Sequence, residues 1–211
     1  MGEKFDYKKE FKDLYLPKVR PSLVNVPSMN FIMLDGKGDP NGEEYQAAIP
    51  ALYSVAFTIK MSRNPFIRKE DYFDYVVPPL EGLWWIEGKE FSFDKRENWL
   101  WTSMIRQPEF VTEEIFKAAL EECKNKKPEI DLSGVRFEAF NEGDCVQMLH
   151  VGPYSAEPAS LGTMRKYMEE NNLKDATGKI RKHHEIYLSD PRRTASDSLK
   201  TVLRHPVEKI D

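Results

Sequence analysis

The chain has 211 residues, 40% hydrophobic and 31% charged, with a formal net charge of −4. That content can bury one sizeable core, as a single domain spanning 1–211, and the mildly acidic balance argues against a nucleic-acid partner. The longest nearly apolar run, "AAIPALYSVAFTI", is too short to span a bilayer, and the charged start "MGEKFDYKKEFKDLY" lacks the apolar stretch of a signal peptide; a soluble cytoplasmic protein is expected.

Residues up to about Leu16 read as a helix or a flexible arm. In "PKVRPSLVNVPSMNF", prolines 17, 21 and 27 confine the segment to an edge strand or to loops. A short apolar strand from Phe31 ends in the turn-forming "GKGDPNG", which has the spacing of neither a dinucleotide nor a phosphate loop. A helix follows. Tyr45, Ile49, Tyr53 and Phe57 form one stripe at i, i+4 spacing, and Ala48, Leu52, Val55, Ala56 and Ile59 form a second. A helix apolar around most of its girth touches protein or ligand on two sides. Pro50 within it predicts a kink or a later true start.

"PPLEGLWWIE" and "ENWLWTSMI" come next, as two strands of an expected antiparallel pair. They carry all four tryptophans, Trp84, Trp85, Trp99 and Trp101. Period-two alternation sets Trp84 and Trp85 on opposite faces and Trp99 and Trp101 on the same one. Aromatics at such spacing usually fill a core, but four tryptophans on neighbouring strands exceed what a one-sided sheet needs. An exposed apolar patch of that size would call for a guest.

"TEEIFKAALEECKNK" reads as a helix capped by Thr112, with Glu113 and Glu114 at its positive end and lysines at its negative end, broken at Pro128. After the strand-like "VRFEAFNEGD", the plan that began at Phe31 returns at Val146. A strand with Met148-Leu149 matches Met33-Leu34. The Gly/Pro turn "VGPYSAE" follows, then a helix, then the strands "HHEIYLSD" and "LKTVLRHPV". The expected fold is α+β. Two β-α-β-β halves, about 17–127 and 128–211, are related by a pseudo-twofold. They build an antiparallel sheet with helices on one face and a central ligand cleft on the other.

In "KHHEIYLSDPRR", His184, Ile186 and Leu188 point one way, and His183, Glu185 and Tyr187 the other. If the isoleucine side packs on the helices, Glu185 and Tyr187 face the cleft. A carboxylate beside large rings can attract a cation, orient a donor, or act as a general base. The four histidines, 150, 183, 184 and 205, lack HExxH or His-x-His spacing, so neither a metal nor another cofactor is expected. Cys123 and Cys145 are expected to be reduced thiols.

"PLEGLWW", "HVGPYS" and "HEIYLSDPRR…LKTVLRHPV" resemble the GyrI-like small-molecule-binding proteins, and among them the free-standing members similar to cyclopropanoid cyclopropyl hydrolases. The resemblance implies a cleft for bulky, flat, often cationic compounds, with Glu185 at the position of the ligand-facing acid. It further implies a hydrolase that opens the cyclopropane ring of DNA-alkylating cyclopropanoids and so protects the cell. Trp84, Trp85, Trp99, Trp101, Tyr45, Tyr53 and Phe57 would form an aromatic cage for this xenobiotic. Glu185 would position or deprotonate water, and Tyr154, Tyr187 or Tyr53 would donate to the oxygen that becomes a phenolate. The alternative is a non-catalytic drug-binding or sensing protein.

Overall fold

A computed structural model describes residues 4–87, 96–178 and 181–210. Its nine strands are β1 (Ser22–Val26), β2 (Met29–Lys37), β3 (Leu80–Ile86), β4 (Trp99–Arg106), β5 (Arg136–Phe140), β6 (Gly143–Val151), β7 (Leu173–Asp175), β8 (His183–Tyr187) and β9 (Lys200–Lys209). Five helices accompany them: α1 (Tyr7–Glu10), α2 (Lys12–Tyr15), α3 (Glu43–Met61), α4 (Glu113–Lys126) and α5 (Glu157–Glu170). The strands form one antiparallel sheet in the order β1-β6-β9-β8-β3-β4-β2-β5, with β7 paired to β9. The fold is thus α+β, as expected. Among the described residues no helix is long and apolar enough to cross a membrane.

Local chemistry explains where the elements begin. Thr112 caps α4 by accepting from the Ile115 amide at 3.4 Å. β1, hemmed by prolines, is an edge strand. Pro50 neither starts nor ends a helix. α3 begins at Glu43 and runs through it to Met61. The proline lies on the exposed side, while buried Ala48, Ala51, Leu52, Val55 and Ile59 hold the opposite side to the core. Packing of that stripe outweighs the one backbone bond a proline removes.

Register decides which side chains share a face. Trp84 lies opposite Trp101 on one side and His183 on the other; Gly82 lies between Ser103 and Glu185. On the far side of β8, Glu185 pairs with Leu203. These residues face the main helices. Tyr45 of α3 touches Trp84 and Trp101, and Leu203, with Val146 and Met148, packs on Met164 and Met168 of α5. Glu185 and Tyr187 therefore lie on the helix-bearing face, near Tyr45 of α3 and Glu157 of α5, where the sequence had set them opposite the helices. The opposite face is covered by the N-terminal segment. Tyr15 reaches Glu81 at 3.2 Å, and Arg106 stacks its guanidinium on Tyr7 and Phe11, both at 4.4 Å. Residues 4–16 thus cover part of the face opposite Glu185.

Candidate functional site

Three alternate residues of β8, His183, Glu185 and Tyr187, all on the helix-bearing face, build the centre. The Tyr187 hydroxyl donates to Glu185 Oε2 at 2.8 Å, and His183 Nε2 lies 2.9 Å from Oε1. Both carboxyl oxygens are thus held, and the residue is 7% exposed. Trp84 Nε1 in turn donates to the Tyr187 oxygen at 3.0 Å. The network fits because Gly82 has no side chain. A Cβ there would stand 2.7 Å from Trp84 Nε1 and 3.1 Å from the Tyr187 hydroxyl. Burial, then the charge of Glu185, pushes the Tyr187 phenol well above its ordinary value, so this tyrosine keeps its proton and its bond.

Behind Glu185 the chain of contacts continues outward. His183 Nδ1 lies 2.7 Å from His205 Nε2, and His205 Nδ1 lies 2.7 Å from Asp175 Oδ2. Burial holds His183 below its ordinary value, which favours a neutral ring. A neutral His183 that donates from Nε2 to Glu185 can accept at Nδ1 from His205. Burial would raise the Asp175 carboxyl, but the bonds from His205 and Thr177 hold it at about 2.

A second carboxyl faces the first. Glu157 is the first residue of α5 and is 1% exposed. Its Oε1 is closed off from solvent and has no hydrogen-bond partner among the described residues. Burial pushes this acid far above the carboxylate range, the charge of Glu185 adds to that, and Arg96 opposes it. The helix N-terminus should favour an anion, yet burial and the neighbouring charge win. Burial, with the charge of Glu185 beside it, favours the protonated form of Glu157.

The aromatic residues divide. Tyr45, Trp84, Trp99 and Trp101 are each at most 6% exposed and form one cluster. Trp84 meets Trp99 edge-on at 5.4 Å, and Tyr45 meets Trp101 edge-on at 5.1 Å. The rings fill much of the space between strands and helix themselves. Tyr154 is half-buried and stands edge-on to Tyr187 at 6.1 Å; burial, then Glu185, raises its phenol to about 12. Tyr53 is half-buried near Leu80 and Asp190. Phe57, stacked on Tyr53 at 6.1 Å, is 48% exposed. Trp85 points to the other face, where Lys182 lies 4.3 Å from its ring centre. The site thus gathers Glu185, Tyr187, Tyr154, Trp84, Trp99, Trp101 and Tyr45, and leaves Trp85 and Phe57 apart. A cavity of about 250 Å³ lies away from these residues, lined by Leu23, Tyr167, Leu173 and Ile210 among others.

Sequence reasoning overlooked Glu157, His205 and Asp175, and also a buried ionic cluster beneath β8. His184 Nδ1 sits 3.0 Å from Glu142, and Nε2 sits 3.0 Å from Glu81 at an angle poor for hydrogen bonding. Arg204 reaches Glu142 at 3.1 Å, Gln147 at 3.0 Å and the Leu14 carbonyl at 2.7 Å. Burial opposes charge on His184, but Glu142 and Glu81 lift it to about 9. Glu142, despite burial, is held at about 2 by His184 and Arg204. The cluster fixes β8 from below and ties it to the N-terminal segment. One signal was in the sequence: adjacent histidines on a strand put one imidazole on each face.

Fold and site together define an α+β protein that sets buried acids and aromatic rings between two helices on one sheet. The chain belongs to the GyrI-like small molecule binding domain family, whose model matches residues 20–208. A solved structure of an uncharacterized conserved protein from Listeria innocua is 55% identical, with a TM-score of 0.93 over 97% of this chain and 100% of its own. A hydrolase from Listeria innocua is 52% identical, with a TM-score of 0.89 over 97% and 100%. The EcmrR C-terminal domain, at 12% identity and a TM-score of 0.55 over 90% and 98%, shares the fold alone. No curated protein matches the chain.

Proposed function

We infer that this chain binds flat aromatic xenobiotics between α3 and α5 and hydrolyses them, with the cyclopropane ring of DNA-alkylating cyclopropanoids as the bond broken. The observation that carries this reading is Glu185, a desolvated carboxylate held at both oxygens and flanked by aromatic rings. A fixed, dry carboxylate is a suitable general base for water. The description of a 52% identical structure as a hydrolase supports a reaction of this class. The half-buried pair Tyr154 and Tyr187 is the way in, and the guest stacks by displacing rings of the packed cluster behind them, Tyr45, Trp84 and Trp99, against the buried Trp101.

In this reaction Glu185 takes a proton from water. The water oxygen bonds to a cyclopropane carbon as the ring carbon–carbon bond breaks. The released electron pair moves to the dienone oxygen, which becomes a phenolate and then a phenol. The product is the substrate plus one water. Incubation of the purified protein with a cyclopropane-fused indole dienone tests this by mass: a gain of one water is expected, and Glu185→Gln should slow it by about 10²-fold or more. Equal rates for the two proteins would remove Glu185 from the chemistry.

A second reading is retention without turnover, favoured by the family's description as a small molecule binding domain. Quenching of tryptophan fluorescence together with intact recovery of the compound would select it.

A further inference from the structure

Glu157 is a buried acid with no structural task. Of the ionisable side chains around the gap, Glu185 is bonded at both oxygens and Tyr187 donates to it. Glu157 Oε1 meets no donor or acceptor among the described residues and is closed off from solvent. A carboxyl that is 1% exposed and left unbonded costs free energy that a purely structural residue would not retain. The partner it lacks is one that arrives with the ligand.

We propose that Glu157 is the general acid of this site, paired with Glu185 as base, and that its Oε1 proton goes to the oxygen on which the substrate's negative charge develops. This rests on the hydrolytic reading above and completes its proton balance. Water gives a proton to Glu185, and Glu157 gives one to the nascent phenolate. After product leaves, Glu185 returns its proton to solvent and Glu157 takes one up, which restores the starting pair. No external acid or oxidant is needed. A carboxyl kept protonated by burial is a recurring way to supply a general acid near neutral pH.

The competing donors fit less well. The Tyr187 proton is committed to Glu185. Tyr154, a phenol raised to about 12, is a weaker acid than a carboxyl kept neutral by burial. The charged and titratable groups acting on Glu157 are Glu185 from β8, Arg96 ahead of β4, Tyr154, and Tyr187 from β8. The substrate class implied is one whose bond cleavage leaves charge on oxygen, such as a dienone passing to a phenolate. A purely hydrocarbon guest would not use it.

Two readouts on the full chain test the proposal. Difference infrared spectroscopy near pH 7 should show a protonated-carboxyl band that Glu157→Gln lacks. Glu185→Gln should weaken that band, because it removes the neighbouring charge. With a cyclopropane-fused indole dienone as probe, Glu157→Gln should lose at least about a hundredfold in turnover while quenching its tryptophans at the wild-type probe concentration. Glu157→Asp, which keeps the acid, should recover part of the rate, and it carries the test if the glutamine variant does not fold. A band unchanged in Glu157→Gln, turnover within twofold of wild type, or an Asp variant as slow as the Gln variant overturns the role. If the wild-type protein adds no water to the probe, the hydrolytic reading itself fails and the acid role falls with it. If wild type is active and only Glu157→Gln matches it, the hydrolytic reading stands and this inference alone is lost.

Discussion

His184 makes the folded protein sensitive to alkali in a calculable way. The imidazole is 1% exposed and touches Glu142 and Glu81, each at 3.0 Å. Its proton, released near 6.5 from the unfolded chain, is held to about 9 in the folded one. Each tenfold gain in proton affinity is about 1.4 kcal/mol, so the interaction contributes roughly 3 kcal/mol. The folded value is raised, so the contribution is whole below pH 6.5 and is lost as pH rises through 9. The perturbation is His184→Gln, which keeps a polar side chain of similar reach but cannot titrate. The assay is urea unfolding at intervals from pH 6 to pH 10, followed by tryptophan fluorescence. Wild type should lose about 3 kcal/mol more than the variant across that range. Cys145 and the buried phenols also resist ionisation at high pH, but they do so in both proteins, and the difference between the curves isolates His184. Parallel curves would refute a charged His184.

Other perturbations reach the site itself. Tyr187→Phe removes the donor to Glu185 and strands the Trp84 indole N–H; a loss of about 2–4 kcal/mol in urea unfolding is expected, and a change under about 0.5 kcal/mol would contradict the network. Gly82→Ala pushes a methyl to 2.7 Å from Trp84 Nε1, costing about 1–3 kcal/mol by overpacking and slowing any Glu185-dependent turnover, as rate and denaturation measurements on one preparation would show. Trp101→Ala, at 0% exposure, should cost about 3–5 kcal/mol; near-wild-type thermal stability would mean the ring is not part of the core.

Much of this was legible in the sequence, and the failures have physical causes. The tryptophan strands form the expected antiparallel pair, and the structure sets their register, with Trp84 opposite Trp101. Glu185 and Tyr187 share a face, as alternation required. Alternation says which residues travel together, however, and not which face the helices take. Hydrophobicity usually decides that, but β8 carries buried polar groups on both sides, His184 toward Glu142 and Glu185 toward Tyr187. The usual cue was absent and the acid was set on the wrong side. Pro50 was over-weighted because the strength of α3 lies in its tertiary stripe, which a local rule does not count. Glu157 could not have been found at all. A glutamate opening a helix is ordinary, and only the folded chain buries it. The Glu142–Arg204 pair, 62 positions apart along the chain, carries no local signal either.

The order of the strands restricts how a guest can be admitted. β1, which precedes α4 in the chain, borders β6, which follows it; β5, which follows α4, borders β2, which precedes it. The two stretches clasp each other like interlaced fingers, and each rim of the sheet is finished by a strand on loan from the other stretch. Swinging them apart as a pair of jaws would tear a strand from each. On the proposed reading, a guest passes between side chains rather than between separating stretches of sheet.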